Sequence, residues 1–287
     1  LIFANIVQAV AFAFSRTANK AIITEVVKKE EIVTYNARLE LVLQVVGVSS
    51  PVLSFIVLQF ASLHMTLVLD AISFFIAFTL VAFLPKKETQ LQEKKTFSWK
   101  NIFADMKEGI RYIWRQQEIF FLLVVASSVN FFFAAFEFLL PFSNRLYGVE
   151  GAYATILTMG AIGSIIGALL ASKIKAGVYN LLILLALTGV GVFMMGLPLP
   201  TFLSFSGNLV CELFMTIFNI HFFTQVQTKV EGEYLGRVLS TIFTLAILFM
   251  PIAKGFMTVL PSVHLSSFLI IGSGVIVLAC LSLVYVR

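Results

Sequence analysis

Glu40, Asp70, Glu137, Glu212 and Lys254 stand inside long runs of Phe, Leu, Ile, Val and Ala. An ionisable group in an apolar phase loses its hydration, so it persists there only when protonated, paired or turned toward water. Carboxylates under that pressure bind a proton, bind a cation, or exchange one for the other. Asn208, Glu212, Thr216 and Asn219 recur at i, i+4, i+8 and i+11, which places all four on one helix face. Such a stripe is either the wall of a water-filled cavity or a polar seam with another helix. The position of Glu212 near the middle of its run favours the cavity. Asn130 and Glu137, seven residues apart, also share a face, with Glu137 in the outer half of its run. Glu137 contacts substrate, carries a coupling proton held by its apolar surroundings, or reaches the outer interface. Lys254, three residues after Pro251, either snorkels outward or neutralises Glu137 or Glu212. Asp70 reads as a structural hydrogen-bonding group, and Glu40, next to Gln44 on its face, as an interfacial one. Phe131, Phe132 and Phe133 are either apolar substrate contacts or lipid-facing side chains.

The elements that must position these groups follow from composition. The chain has 287 residues, 59% of them hydrophobic and 12% charged, against about 25% charged in soluble domains. Its mean hydropathy is +0.98. A bilayer-spanning helix takes about 20 mostly apolar residues, and lipid forces the backbone of each span to satisfy its own hydrogen bonds. The sequence therefore predicts an all-α membrane bundle of nine spans: 1–15, 39–59, 64–84, 118–140, 152–172, 178–197, 202–226, 238–260 and 264–286. The chain starts at Leu1 inside an apolar run and is expected to be N-terminally incomplete.

The net charge of +5 does not point to nucleic acid, because the basic residues fall in the connections. Of the 20 Lys and Arg residues, all but Arg145 and Lys254 lie in alternate connections or at the C-terminus. The excess of positive charge marks the cytoplasmic side, so the C-terminus is expected in the cytoplasm. The longest connection, 85–117, begins polar and ends in "FSWKNIFADMKEGIRYIW". There Trp99, Ile102, Phe103, Met106, Ile110, Ile113 and Trp114 recur at helical spacing, with Ser98 as N-cap, and predict an amphipathic interfacial helix. Gly160, Gly163 and Gly167 form a small-residue stripe that lets a second helix approach closely.

Catalytic signatures are missing from the sequence. There is no GxxxxGK[ST] phosphate loop, no HExxH and no His/Cys cluster at metal-ligand spacing. His64, His221 and His264 read as surface or packing residues, and Cys211 and Cys280 as inert thiols in apolar runs. No enzyme activity, cofactor or metal is expected.

Several stretches together resemble the major facilitator superfamily, in particular its branch of macrolide-efflux proteins. "EYLGRVLSTIF" (233–243), with Gly236 and Arg237, resembles the signature entering the eleventh helix, and "DAISFFIAF" (70–78) the pattern of the sixth. "MKEGIRYIW" (106–114) resembles the central-loop helix, and "TMGAIGSIIGALL" (158–170) the glycine-rich eighth helix. "VVGVSSPVL" keeps Gly47 and Pro51 of the fifth-helix antiporter pattern but has Ser50 before the proline. The resemblance implies helices four to twelve of a twelve-helix fold: 1–84 closing the N-terminal bundle, 85–117 a cytoplasmic linker, 118–287 the C-terminal bundle. It implies a monomeric plasma-membrane exporter of amphiphilic drugs, coupled to protons, of the kind that confers antibiotic resistance. It also turns the seventh and tenth helices, and with them Glu137 and Glu212, toward a central cavity. The alternative is a membrane protein that does not transport, a truncated relic or a scaffold for partners.

Overall fold

The computed structural model describes residues 11, 15, 17–60, 62–83, 99–175, 177–259 and 262–286. After a helical stretch over 17–26, ten helices follow: α1 (Ile32–Phe60), α2 (Leu63–Ala82), α3 (Trp99–Arg115), α4 (Gln117–Leu139), α5 (Ser143–Tyr147), α6 (Ala152–Ala171), α7 (Val178–Gly196), α8 (Thr201–Lys229), α9 (Gly232–Val259) and α10 (Ser266–Val286). No strand occurs among the described residues.

Seven described segments are long and apolar enough to cross a membrane: α2, α4 continued through α5, and α6 to α10. The predicted count of nine is thus not reproduced among them. The first span, 1–15, lies almost wholly outside the described residues, as do the linker from 84 to 98 and the N-cap expected at Ser98. The span expected at 39–59 is helical throughout within α1. Two helices start well before their expected spans: α1 at Ile32 rather than 39 and α9 at Gly232 rather than 238. The Gly-Arg stretch is therefore the first turns of the spanning helix and not a connection before it. Pro251 sits inside α9, where it removes one backbone donor and clashes with the preceding turn.

α8 is the centre of the packing, bearing on α6 along one side and α7 along the other, while α10 closes on α7 and α9 packs on α4. Glycine makes these approaches close. A methyl group on Gly167 of α6 would lie 2.5 Å from the Leu213 carbonyl oxygen of α8, and one on Gly163 would overlap the Leu209 carbonyl. On the other flank of α8, a methyl on Gly207 would lie 2.5 Å from the Gly191 carbonyl of α7. The predicted glycine stripe is therefore a backbone-to-backbone seam. Gly47, by contrast, faces open space.

Two apolar cores fill the bundle. One, with Ile119, Leu122, Phe218, Phe222 and Val238, lies toward the end that carries most of the basic residues. The other joins Phe136, Met195, Phe205 and Phe268 toward the opposite end. That opposite end is tied by the Tyr147 hydroxyl, which donates to the Met195 carbonyl at 2.6 Å. The turn after Tyr147 needs Gly148 at φ +65°, a left-handed conformation that closes α5 without a Cβ penalty. α2 differs from the other helices: none of its membrane-length window is buried.

Replacing Gly167 by Leu drives a side chain into the α8 backbone, so we expect a loss of about 1–3 kcal/mol. A lowered melting midpoint of the detergent-purified protein checks this, with Gly47→Ala as the variant that leaves the midpoint unchanged.

Candidate functional site

The polar stripe of α8 meets the glycine stripe of α6. Without a side chain at Gly160, the α8 helix comes close enough for Asn208 to reach the α6 backbone. The Asn208 amide donates to the Ile156 carbonyl at 2.8 Å, and its own carbonyl oxygen is buried without a partner among the described residues. One turn on, the Ser164 hydroxyl donates to a Glu212 carboxylate oxygen at 3.3 Å. Thr216 is buried against Gly167. Asn219 is half-buried. So the stripe is in part the polar seam that one reading of the sequence offered: Asn208 and Thr216 are committed to helix packing. Glu212 has a single described hydrogen bond and stays half-buried.

Glu212 does not stand alone. Glu137 from α4 and Glu40 from α1 both lie near enough to repel its charge. Glu40 is half-buried and accepts from the Gln44 amide at 2.9 Å. This differs from the interfacial exposure expected for it, because α1 packs on α6 and α8. Carboxylates on α1 and α8 thus stand on helices that pack together, with Glu137 on α4. Their described counter-charge is Lys254 of α9, whose ammonium lies 3.5 Å from Glu137. Of the destinations left open for Lys254, the structure shows Glu137. Both side chains of that pair are about half exposed, at 47% and 49%. The described residues therefore do not enclose the pair. Asn130, on the same face as Glu137, is bonded back to its own helix at the Ala126 carbonyl, 2.9 Å away.

Phe131, Phe132 and Phe133 of α4 are half-buried, not lipid-facing throughout. Phe132 packs against Gly274 of α10, Phe131 meets Phe132 edge to face at 5.7 Å, and Phe133 meets Phe136 at 5.8 Å. Asp70 is exposed, and its carboxylate has no partner among the described residues. The structural hydrogen bond expected of it is not made there, since no described neighbour buries α2. A methyl group placed on Gly47 or Gly236 would meet nothing within 4 Å, and Pro51 lies within α1. His221 is a packing histidine, 3.0 Å from the Ala171 carbonyl. Among the described residues no group of His, Cys, Asp and Glu could hold a metal ion.

Two clusters at the basic end were not found by sequence reasoning. The Asn36 amide, at the start of α1, donates to Gln227 at 2.7 Å and Thr224 at 3.2 Å near the end of α8. The Gln227 amide in turn donates to the Lys20 carbonyl at 2.7 Å. The Asn36, Thr224 and Gln227 side chains are all buried, so they form a dry polar lock between residues 17–60 and α8. Beside it, Arg237 of α9 pairs with Glu108 of α3 at 3.3 Å, and Gly109 of α3 lies flat against the Arg237 carbonyl. Lys229 and Glu118 make a further ion pair there. No local spacing announces these contacts, because each joins helices far apart in the chain. The one hint in the sequence is Arg237, a cation at the very end of an apolar run.

Residues 1–252 match the family model described as Major Facilitator Superfamily. No curated protein and no solved structure matches the chain.

Reversing one charge of the Glu137–Lys254 pair sets like charges face to face. For so exposed a pair we expect each of Glu137→Lys and Lys254→Glu to cost about 0.5–1 kcal/mol, and the double exchange to restore most of it. A double-mutant cycle on the melting midpoint checks this; additive losses would show that the two groups do not interact.

Proposed function

The chain belongs to the major facilitator superfamily and is a multi-pass membrane protein of a secondary-transporter family; from that premise we propose that it exports amphiphilic small molecules by alternating access in exchange for protons. The observation that carries the reading is the half-buried Glu212 carboxylate on the polar stripe of α8, held among the described residues by the Ser164 hydroxyl alone. A carboxylate among carboxylates is stabilised by whichever positive species arrives, a proton or a cationic amphiphile. The two compete for one charge, and that competition couples their movements. Glu137, tethered by Lys254 at half exposure, exchanges its partner between outward-facing and inward-facing states. Phe131, Phe132 and Phe133 supply the apolar side of an amphiphilic substrate's contacts. Half-buried Asn219 and Asn130 supply neutral hydrogen-bonding groups, while Asn208 and Thr216 hold the seam behind them.

Alternating access needs a seal that can open. The Asn36–Thr224–Gln227 lock joins the helices before the 84–98 segment to those after it. It would be the inner gate, with residues 1–84 and 118–287 as the two rocking bundles. Arg237 and Glu108 fasten the linker helix to the second bundle, and Gly236 leaves that approach open. In this reading the basic end faces the cytoplasm of a plasma membrane, the C-terminus lies inside, and the protein works as a monomer. A macrolide-like substrate fits the resemblance to the macrolide-efflux branch.

Glu212→Gln keeps the shape and the hydrogen-bonding capacity but loses the titratable charge. We expect it to abolish active efflux of a fluorescent cationic dye from intact cells, with membrane expression unchanged, and wild-type efflux to stop on adding a proton-gradient uncoupler. Wild-type efflux by Glu212→Gln would remove the role assigned to that residue.

A further inference from the structure

Helix α3 carries Lys107, Arg111 and Arg115 at i, i+4 and i+8, so the three cations form one ridge about 12 Å long. All three are exposed, and none has a hydrogen bond or ion pair among the described residues. Basic surface residues are ordinary, but these three also line a cavity of about 410 Å³, together with Ala104, Glu108, Tyr112 and Tyr234. Its wall is rigid: the Tyr112 and Tyr234 rings stack at 4.7 Å and 20°, and Gly109 fixes the helix against α9. The one acidic group lining it, Glu108, is already engaged by Arg237 at 3.3 Å. The Tyr112 hydroxyl accepts from the Glu231 backbone N–H at 3.3 Å, which leaves its own proton free to donate. The cavity therefore offers three cations and a hydroxyl donor, an arrangement that suits a phosphate.

The other flank of the ridge identifies the carrier of that phosphate. Ile110 and Trp114 stand beside the cations on the helix surface and are 42% and 69% exposed. Trp114 contacts Phe120 at 4.8 Å, in the first turn of the spanning helix α4. A tryptophan between a basic face and the start of a span is the arrangement found at the headgroup level of bilayers. A soluble anion has no use for this apolar flank; a lipid does, because its acyl chains continue past Trp114 along α4.

We infer that Lys107, Arg111 and Arg115, with the Tyr112–Tyr234 stack, form a binding site for the phosphate of an anionic phospholipid, whose chains pass Ile110 and Trp114. Occupancy screens the mutual repulsion of the three cations and braces α3 on α9. Such a site requires only that the chain spans a membrane, and it stands whether or not the protein is an exporter.

The sequence holds two tryptophans, so Trp99→Phe leaves Trp114 as a built-in reporter. The full chain in dodecyl maltoside is titrated with dansyl-labelled phosphatidylglycerol and, separately, dansyl-labelled phosphatidylcholine, reading energy transfer from Trp114. A headgroup-level cation contributes about fivefold in anionic-lipid affinity. The expected result is stronger transfer to phosphatidylglycerol, with its apparent affinity lowered by about 100-fold in Lys107→Gln/Arg111→Gln/Arg115→Gln. The charge-keeping Arg111→Lys/Arg115→Lys variant is expected to retain the preference and the same elution volume. Equal transfer to the two lipids overturns the site, as does a preference untouched by the triple variant or lost equally in the charge-keeping one. Inorganic phosphate at matched ionic strength is expected to leave the transfer unchanged; displacement by it would reassign the cavity to a free anion.

Discussion

A carboxylate taken out of water loses several kcal/mol of solvation that only a proton, a cation or a set of donors returns. The arrangement around Glu212 follows from that constraint. Ser164 supplies one donor, too little to hold a bare charge in a dry site, and Glu40 and Glu137 make the region more negative still. The glycine seam of α6 explains how a large acidic side chain fits there at all. The absence of side chains at Gly160, Gly163 and Gly167 brings α8 close to α6. The stability of the site comes from that close packing, and its charge remains available.

The two ends of the bundle are built differently. The opposite end closes on aromatic packing, with Tyr147 between Phe205 and Phe268 and one hydroxyl bond to the Met195 carbonyl. The basic end closes on directional polar contacts, the Asn36–Thr224–Gln227 lock and the Glu108–Arg237 pair. Hydrogen bonds between membrane helices contribute on the order of 1 kcal/mol or less each, so a lock of three opens readily and re-forms in one geometry only. Apolar packing tolerates sliding; amide pairs do not. The basic end is thus the one suited to the two states that the proposed alternating access needs.

How much of this was legible in the sequence depends on the range of each signal. Spans α4 and α6 to α8 begin and end within a few residues of the apolar runs that predict them, because the bilayer imposes their length. The glycine stripe and the shared face of Asn208, Glu212, Thr216 and Asn219 follow from helical periodicity, and the structure places the two stripes against each other. Pairings across the bundle are another matter. Asn36 and Gln227 are 191 residues apart, and nothing near either one names the other. Lys254 has more than one acidic group within the reach of argument, and the choice of Glu137 depends on how α9 crosses α4. The start of α9 differs from expectation because Gly236 and Arg237 read as a connection, although a helix carries both without strain.

Glycines grip α8 from two sides, Gly163 and Gly167 on the α6 flank and Gly191 with Gly207 on the α7 flank. A helix held by backbone contacts on both flanks has no loose side chains to rearrange, so it behaves as a fixed axle. A change of charge at Glu212 then cannot be absorbed by α8 moving aside. In the proposed exchange the movement would fall instead to the partners that hold α8 through side chains, and at the basic end that partner is α1.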